Sequence, residues 1–337
     1  MKAVIFTEGG NKIGFGHLTR CLSLHQAFES NSITSKLIIY GDSAVRGLLG
    51  KTKFRLLEWM RRETEFLSIV RGANIVVFDS YLTGVEFYRR IASKLKLAVY
   101  IDDNNRIKYA NGVVVNGSID AERIKYPVGN SYLLGVKYQP VRNVFWSVHR
   151  KRINKELRSV LVTFGGDDAR HMSLKVLNFL NKEYPAFTKN VMIGKGFDGV
   201  DELRKIKDPR CKLYYFPDSA TMKNVMLDSD IAISAGGQTL YELARMGIPT
   251  IGVCVADNQL RNLQGWHRHK VVDFIGMYND KKLFNKLKVS LEGLKSPDVR
   301  RIKSGRGQKL IDGRGAKRIV TCLSKLYNAK EIIGGKK

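Results

Sequence analysis

Residues 8–23, EGGNKIGFGHLTRCLS, decide the predicted fold of the first half of the chain. They follow a short apolar run, Ala3–Phe6, which indicates a buried strand that ends in a glycine-rich turn. Apolar side chains then recur at helical spacing from Leu18 to Leu24, so the pattern predicts a helix that begins near Gly16. The stretch is therefore predicted to connect the first strand and the first helix of an α/β domain.

His17 lies at the start of that predicted helix, at the carboxyl end of the first strand. Ligands of open α/β sheets bind at this edge, and a helix N-terminus favours anions. Gly14 and Gly16 have no Cβ, so the backbone there can approach a ligand closely. An imidazole exchanges protons near neutral pH, which suits a general base. A plain strand-to-helix loop with a histidine in its first turn is the alternative.

The chain divides into two α/β series. We predict a Rossmann-like domain over residues 1–140, a basic linker over 141–158, a second Rossmann-like domain over 159–311, and a C-terminal helix with a basic tail over 312–337. In both domains apolar strands lead into glycine turns and then into helices, which is typical of parallel sheets. A chain of 337 residues also exceeds what one compact core usually holds. We therefore predict two Rossmann-like domains that face each other across a cleft.

The second half contains a more specific set of residues in a fixed order. A predicted strand that includes Ser234 leads into Gly236, Gly237 and Gln238, and the next helix carries Glu242. Glycines at a helix N-terminus form an anion pocket that suits a diphosphate. A glutamate about one and a half turns into the helix can accept hydrogen bonds from the two hydroxyls of a ribose. This order of features predicts a nucleotide site.

Two further features of the second half fit such a site. Asn258 and Gln259 carry amides that both donate and accept hydrogen bonds, as sugar hydroxyls and amides require. Gly165 and Gly166 follow the first strand of this half in another glycine turn. The alternative is that Glu242 is a solvated helix residue and that the glycines form only tight turns.

The charge of the chain limits its partners. It carries 58 Lys and Arg against 31 Asp and Glu, a formal net charge of +27. Phosphorylated small molecules, nucleic acid and an anionic membrane surface are all compatible with this balance. The basic residues after Lys281 are not interleaved with aromatic residues, so we predict no specific nucleic-acid partner. We interpret those residues as solvated helix faces, and the patterns do not fix an oligomeric state.

Other patterns bear on location and metals. No apolar run approaches the roughly 18 to 20 residues of a membrane span, and the N-terminal apolar run is too short for a signal peptide. His267 and His269 form an HxH pattern without an apparent third ligand, so no metal site is predicted. We predict a cytoplasmic protein with free thiols, because no paired spacing relates the four cysteines, Cys21, Cys211, Cys254 and Cys322.

The motifs together resemble a known family. Ser234–Pro249 with Asn258 and Gln259 is similar to the nucleotide-binding half of GT-B nucleotide-sugar enzymes of the MurG type. Ile13–Arg20, IGFGHLTR, closely resembles the IGxGHxxR motif of the PseG/SpsG family, the UDP-sugar hydrolases of pseudaminic acid biosynthesis. Further matches follow in order along nearly the whole chain: Asp79–Tyr81, Asp102–Arg106, Leu133–Tyr138, Thr163–Asp167 and Asp312–Ala316.

This resemblance implies a GT-B fold and a hydrolase that removes UDP from UDP-2,4-diacetamido-2,4,6-trideoxy-β-L-altrose. It implies that water attacks the anomeric carbon with inversion, that His17 is the base, and that no metal or other cofactor is required. The resemblance, with the reading of the strand ends, assigns to substrate binding Gly14, Gly16, Arg20, Asp79, Tyr81, Asp102, Asn258 and Gln259. The nucleotide-binding set is Gly165, Gly166, Ser234, Gly236, Gly237, Gln238 and Glu242.

Several alternatives stay open within that assignment. Asp79 and Asp102 end two predicted strands, and each could orient His17, bind the sugar, or cap a loop. The family often has Arg near the end of the first strand and His after the acid of the fourth, where this chain has Phe6 and Ser80. Glu8 is the only charge near these positions. The identity of the sugar is therefore less fixed than recognition of UDP.

Two other functions fit the same motifs. An inverting GT-B glycosyltransferase would use His17 to activate an acceptor hydroxyl, and the basic surface would suit a lipid acceptor in an anionic membrane. A non-catalytic nucleotide or nucleic-acid binding protein would keep the nucleotide pocket. Such a protein gains little from a titratable side chain at position 17.

Overall fold

The computed structural model describes residues 1–11, 13–149 and 151–334. Arg150 of the predicted linker and residues 335–337 of the predicted basic tail lie outside the described residues. Across the described ranges the chain forms two parallel sheets flanked by helices, which confirms the predicted α/β class. The chain separates into two compact units.

The first unit comprises Met1–Asn143 and Gly313–Lys337. Its strands are β1 (Lys2–Gly9), β2 (Thr34–Gly41), β3 (Phe54–Leu56), β4 (Ile75–Asp79), β5 (Ala98–Ile101), β6 (Val113–Asn116) and β7 (Ser131–Leu134). Its helices are α1 (Gly16–Ser30), α2 (Arg46–Leu49), α3 (Glu63–Val70), α4 (Val85–Ala92) and, from the end of the chain, α12 (Gly315–Gly334). In the described part of this unit the strand order is β3-β2-β1-β4-β5-β6-β7.

The second unit comprises Val144–Asp312. Its strands are β8 (Ser159–Thr163), β9 (Thr188–Ile193), β10 (Cys211–Tyr215), β11 (Ile231–Ala235), β12 (Thr250–Cys254) and β13 (Val272–Met277). Its helices are α5 (Met172–Glu183), α6 (Val200–Arg204), α7 (Ser219–Asp228), α8 (Thr239–Met246), α9 (Leu260–Arg268), α10 (Leu283–Leu294) and α11 (Pro297–Leu310). Its described strands are ordered β10-β9-β8-β11-β12-β13.

The central strands are buried along their whole length. Every residue of β4, β8, β11 and β12 is buried. Helices cover both faces of a parallel sheet, so its central strands become near-continuous apolar runs. This is why the apolar runs in the sequence predicted these strands.

An aromatic cluster fills one face of the first sheet. Phe6 is fully buried, and its ring centre lies 5.3 Å from that of Trp59, 4.9 Å from that of Phe66 and 5.6 Å from that of Phe78. Rings at these separations pack favourably as tilted or offset pairs. Phe6, one of the two positions that depart from the family pattern, is therefore a core residue in this chain.

Helix α12 belongs to the first unit although it follows the second unit in the sequence. It packs against α1, and its side chains Ala316, Ile319, Val320 and Leu323 are buried. Asn74, just before β4, donates a hydrogen bond of 2.7 Å to the hydroxyl of Tyr327 on α12. The helix therefore completes the core of the first unit.

Each sheet reverses its strand order at one place. In the first sheet β1 pairs with β4, with Thr7 opposite Asp79. In the second sheet β8 pairs with β11, with Thr163 opposite Ser234. Ligands of open α/β sheets bind beyond the carboxyl ends of the strands at such switch points. The residues that follow these four positions are therefore the places where the fold favours a ligand.

Two glycines of α11 offer a matched test of packing in the second unit. A Cβ on Gly307 would lie 2.9 Å from the backbone oxygen of Ala244 on α8, whereas a Cβ on Gly305 would meet nothing within 4 Å. We expect Gly305→Ala to raise the free energy of unfolding by up to about 1 kcal/mol, because alanine favours helix more than glycine does. We expect Gly307→Ala to lower it by roughly 1–3 kcal/mol through overpacking. Chemical denaturation followed by circular dichroism measures both, and equal effects would contradict this packing.

Candidate active site

His17 lies in the first turn of α1, with its side chain 14% exposed. Its Nδ1 lies 2.6 Å from Oδ1 of Asp79, the last residue of β4. Arg20 Nη2 also lies 3.1 Å from Nδ1, but an ionised carboxylate can only accept a hydrogen bond, so the shorter contact with Asp79 favours a proton on Nδ1 and a free lone pair on Nε2. This is the tautomer that a general base requires.

Arg20 holds Asp79 in place from the same helix. Its Nε lies 2.6 Å from Asp79 Oδ2, and its Nη2 lies 2.6 Å from Asp79 Oδ1. A third contact of 2.6 Å joins Arg20 Nη1 to Oδ1 of Asp103. The two-pronged pairing of guanidinium and carboxylate fixes the plane of the Asp79 carboxylate. Arg20 therefore fixes the group that orients His17.

The charges in this cluster favour an ionised Asp79. Burial raises the pKa of Asp79, but Arg20 and His17 outweigh burial, and its pKa lies well below the ordinary value. Burial likewise raises the pKa of Asp103, and Arg20 together with the hydroxyl of Tyr81 brings that pKa below its ordinary value. A fixed anion at Nδ1 stabilises the imidazolium that forms when Nε2 takes a proton. The arrangement is therefore suited to a histidine base.

The two acids at the strand ends have different surroundings. The buried carboxylate of Asp102 accepts hydrogen bonds from the backbone N–H of Asn105 (2.5 Å) and Arg106 (3.2 Å) and from the hydroxyls of Tyr109 (2.8 Å) and Tyr126 (2.5 Å). These contacts fit the loop-capping alternative for Asp102. The contact with His17 fits the orienting alternative for Asp79.

The aromatic ring of Tyr81 packs against the imidazole of His17. Its ring centre lies 4.6 Å from that of His17, edge-on at 73°. Its hydroxyl donates a hydrogen bond of 2.6 Å to Asp103, and the guanidinium of Arg106 lies over its ring at 5.6 Å. Burial and the Asp103 charge raise the pKa of Tyr81, so it remains a neutral phenol. The residue is 37% exposed, which leaves part of it accessible to a ligand.

The sequence pattern assigned no role to Glu8, and the structure places it in the cluster. Its buried carboxylate accepts hydrogen bonds from the hydroxyl of Ser80 and from the backbone N–H of Tyr81 (2.8 Å). Its Oε1 lies 3.9 Å from Nε2 of His17. An acid two residues after the apolar run Ala3–Phe6, still within the first strand, is the signal that points to it.

Gly14 and Gly16 differ in what their positions require: one in backbone conformation, the other in the space beside it. Gly14 has a φ of +84°, and its backbone pairs with that of Gly10 through hydrogen bonds of 2.8 and 3.1 Å. Gly14 is therefore required by the backbone of the loop. A Cβ on Gly16 would meet nothing within 4 Å, so the space beside Gly16 is open.

In the second unit, Gln259 supports the glycine turn that follows β11. Its Oε1 accepts hydrogen bonds from the backbone N–H of Gly236 (3.1 Å) and Val255 (3.2 Å). A Cβ on Gly236 would lie 2.7 Å from Leu263 and 2.9 Å from Gln259, so the turn has no room for a side chain there. Gln259, predicted to contact substrate, thus uses its carbonyl oxygen to tie the turn to the end of β12.

The other predicted residues of this turn are placed differently. Ser234 is buried, and its hydroxyl donates a hydrogen bond of 3.0 Å to the carbonyl of Ala235. A Cβ on Gly237 would meet nothing within 4 Å, and Gln238 is half-buried at the start of α8. Glu242 is only 3% exposed, which excludes the alternative of a solvated helix residue. Asn258 lies in an exposed turn after β12.

The glycine turn after β8 is exposed and firmly anchored. Gly165 has a φ of +90°, and the carbonyl of Gly166 accepts a hydrogen bond of 2.9 Å from Gly196. Asp168 accepts hydrogen bonds of 2.8 Å from the backbone N–H of both Met172 and Ser173, at the start of α5. The two glycine turns of this unit follow the paired strands β8 and β11, at the switch point of the sheet.

Other possible features can be stated for the described residues alone. In ranges 1–11, 13–149 and 151–334, no three His, Cys, Asp or Glu side chains are grouped to hold a metal ion. In the same part of the chain, no helix is long and apolar enough to cross a membrane. All four cysteines are described and are free thiols.

The buried Asp79 predicts a specific acid response. Because its pKa is lower in the folded chain, its carboxylate stabilises the fold above the unfolded pKa of about 3.9, and this contribution is lost as the pH falls below that value. We expect Asp79→Asn to lower the free energy of unfolding at neutral pH by roughly 3–5 kcal/mol, since it leaves Arg20 incompletely paired. The deficit should shrink on acidification below about pH 4, because the unfolded wild-type chain then binds a proton at this carboxylate while the folded chain keeps it ionised.

Amide hydrogen exchange in β4, measured against pH, checks this response. Glu86→Gln is the control, because Glu86 is an exposed partner of Arg89 and such pairs contribute less than about 1 kcal/mol. A deficit that stays constant down to pH 3 would show that Asp79 does not stabilise the fold through its charge.

Comparison with known proteins agrees with the motifs. No family model matches the chain. The chain is 28% identical to the uncharacterized protein MJ1062 of Methanocaldococcus jannaschii over 74% of its own length and 55% of that protein. It is 21% identical to the spore coat polysaccharide biosynthesis protein SpsG of Bacillus subtilis over 97% of its length and 99% of SpsG.

A third relative carries a more specific name. The chain is 25% identical over 73% of its length to a Helicobacter pylori pseudaminic acid cytidylyltransferase and UDP-2,4-diacetamido-2,4,6-trideoxy-β-L-altropyranose hydrolase. The match covers 43% of that protein, so the chain spans about half the length, or less, of two of these three relatives.

Solved structures show the fold. Acinetobacter baumannii MurG superposes with a TM-score of 0.68 at 12% identity, over 96% of this chain and all of MurG. S. aureus MnaA in its UDP co-structure gives a TM-score of 0.67 at 14% identity, over 97% of each chain. The fold is therefore the GT-B fold that the motifs predicted, and the predicted resemblance is confirmed: in sequence this chain is similar to SpsG and to PseG-type hydrolases.

Proposed function

We propose that this chain hydrolyses a UDP-activated deoxy-amino sugar and releases UDP and the free sugar. The observation that carries the proposal is the contact of His17 Nδ1 with the ionised Asp79, which leaves Nε2 free to accept a proton. Arg20 fixes Asp79, so the imidazole is held in one orientation before substrate arrives. Preorganisation of this kind is what general-base catalysis requires.

The proposed step is a single displacement. Nε2 of His17 takes a proton from water while the water oxygen bonds to the anomeric carbon. The bond between that carbon and the UDP oxygen breaks, and its electron pair leaves with the diphosphate. The new bond forms on the face opposite the leaving group, so the configuration inverts. Asp79 stabilises the imidazolium, as an acid does behind a histidine base.

The second unit supplies the proposed nucleotide site. The glycine turn at Gly236 and Gly237 precedes α8, and backbone N–H groups at a helix N-terminus stabilise the charge that develops on a diphosphate. The buried carboxylate of Glu242 is proposed to accept hydrogen bonds from the ribose hydroxyls. The exposed turn at Gly165 and Gly166 is proposed to contact the nucleotide from the neighbouring strand end.

The sugar is proposed from the relatives. The Helicobacter pylori protein and a Campylobacter jejuni protein, 22% identical over 77% of this chain, are both named for hydrolysis of UDP-2,4-diacetamido-2,4,6-trideoxy-β-L-altropyranose. We therefore propose a sugar of the diacetamido-trideoxy type. Tyr81, which is exposed beside His17, is proposed to contact it. The free thiols suit a reducing compartment, and we propose the cytoplasm.

A glycosyltransferase is the second candidate. Its support is the fold shared with MurG, because the same histidine can deprotonate an acceptor hydroxyl instead of water. The two functions differ in one measurable way, since a hydrolase turns over without an acceptor.

UDP release in the absence of any acceptor is the test. We expect the wild-type protein to release UDP and free sugar from the UDP-diacetamido-trideoxy sugar. In His17→Ala the rate of release should fall by about a hundredfold or more, because a positioned base contributes on that scale. His25→Ala is the matched control, because His25 lies on the same helix and contacts Ser35 instead of the cluster.

The other outcomes are decisive as well. UDP release that requires an added acceptor would favour the glycosyltransferase. Hydrolysis that is unchanged in His17→Ala would exclude His17 as the base. UDP binding with no turnover of several UDP-amino sugars would contradict the proposed reaction while leaving the nucleotide site in place.

A further inference from the structure

Glu8 is a buried carboxylate that the proposed step does not use. It is 1% exposed and lies near the carboxyl end of β1. Its acceptor contacts are to the hydroxyl of Ser80 and to the backbone N–H of Tyr81 at 2.8 Å and Leu82 at 3.4 Å. A buried carboxylate is costly unless hydrogen bonds and charge compensate it. A carboxylate buried at this cost next to His17 needs a physical explanation.

Glu8 anchors one side of the loop at residues 80–83. Within that loop the hydroxyl of Ser80 accepts hydrogen bonds from the backbone N–H of Leu82 (3.1 Å) and Thr83 (3.2 Å). On the other side, Arg106 Nη2 donates to the carbonyls of Ser80 (3.0 Å) and Thr83 (2.9 Å). The loop is thus held between Glu8 and Arg106, and it carries the Tyr81 ring that packs on His17.

The charged groups around His17 are arranged on its two ring nitrogens. Asp79 (2.6 Å) and Arg20 (3.1 Å) lie at Nδ1, and Arg20 is in turn paired with Asp103. Glu8 lies at Nε2, at 3.9 Å, and Tyr81 packs on the ring as a neutral phenol. Within the described part of the chain, the ion-pair partner of Glu8 is His17.

We infer that Glu8 is a positioning residue for His17, a second carboxylate that acts at the ring nitrogen opposite Asp79. This inference rests on the proposed function. The Glu8–Nε2 distance exceeds a hydrogen bond, so Glu8 acts on His17 through its charge and through the loop that it holds. An opposite charge about 4 Å away favours the protonated imidazole, which is the state that follows proton transfer from water.

Ser80 is the partner of Glu8 in this arrangement. It stands at one of the two positions where the chain departs from the family pattern, and its hydroxyl both binds Glu8 and closes the loop. Glu8 and Ser80 therefore form one hydrogen-bonded unit beside His17.

Three variants separate charge from loop structure. Glu8→Gln removes the charge but keeps an oxygen that can accept from Tyr81. Glu8→Asp keeps the charge. Ser80→Ala keeps the charge and loosens the loop. Glu86→Gln, which removes an exposed carboxylate of α4, is the control.

We expect Glu8→Gln to lower kcat about tenfold with little change in KM, and to move the acid limb of the pH–rate profile to lower pH by roughly one unit. The direction follows because loss of a nearby negative charge makes the imidazole lose its proton more readily, so the base stays available at lower pH. Glu8→Asp should restore the position of the limb. Ser80→Ala should lower kcat and leave the limb unmoved.

A Glu8→Gln variant with an unmoved acid limb would overturn the inference, whatever its kcat, because a merely structural role does not move that limb. An NMR titration of the His17 imidazole, assigned by the resonances lost in His17→Ala, tests the same coupling without substrate. Its midpoint should move to lower pH in Glu8→Gln. If no UDP-sugar is hydrolysed by the wild type, the proposed function fails, and this titration still confirms or contradicts the inference.

Discussion

The buried pairing of Asp79 with Arg20 is the interaction on which the first unit's site depends. A carboxylate taken out of water is strongly unfavourable unless a cation and several donors meet it. Here Arg20 meets it with two hydrogen bonds, and His17 meets it with a third. The pairing joins the end of β4 to α1, so helix position, strand register and imidazole tautomer are fixed together. The imidazole of His17, the proposed base, is therefore oriented without substrate.

The proposed nucleotide site of the second unit is formed mainly by backbone groups. At its switch point two glycine turns follow β8 and β11, and the side-chain amide of Gln259 holds the second turn in shape. The two units thus share a sheet topology and use it differently. The first places titratable side chains beyond its strands, and the second places glycine turns there, which we propose bind a diphosphate. In the proposed reaction the first unit supplies the base, and the second stabilises the charge that develops on the diphosphate.

Much of the fold and of the candidate site could be predicted from the sequence. The remaining features depend on contacts between residues that are far apart in the chain. Apolar runs such as Ile75–Asp79 predicted the central strands, and the common strand edge predicted that Asp79 would lie near His17. The pattern could not choose between Asp79 and Asp102, because that choice depends on which tyrosines and amides surround each carboxylate. It could not assign Glu8, whose role arises from a loop 72 residues away. Nor could it join α12 to the first unit, which depends on packing against α1.

The central claim is that water attacks the anomeric carbon of a UDP-sugar. Hydrolysis in ¹⁸O-labelled water, with mass spectrometry of both products, tests it most directly. The account predicts that the released UDP stays unlabelled, because the bond between the anomeric carbon and the UDP oxygen breaks and UDP keeps that oxygen. Label in the UDP would contradict the account, because it would mean that water attacks phosphorus.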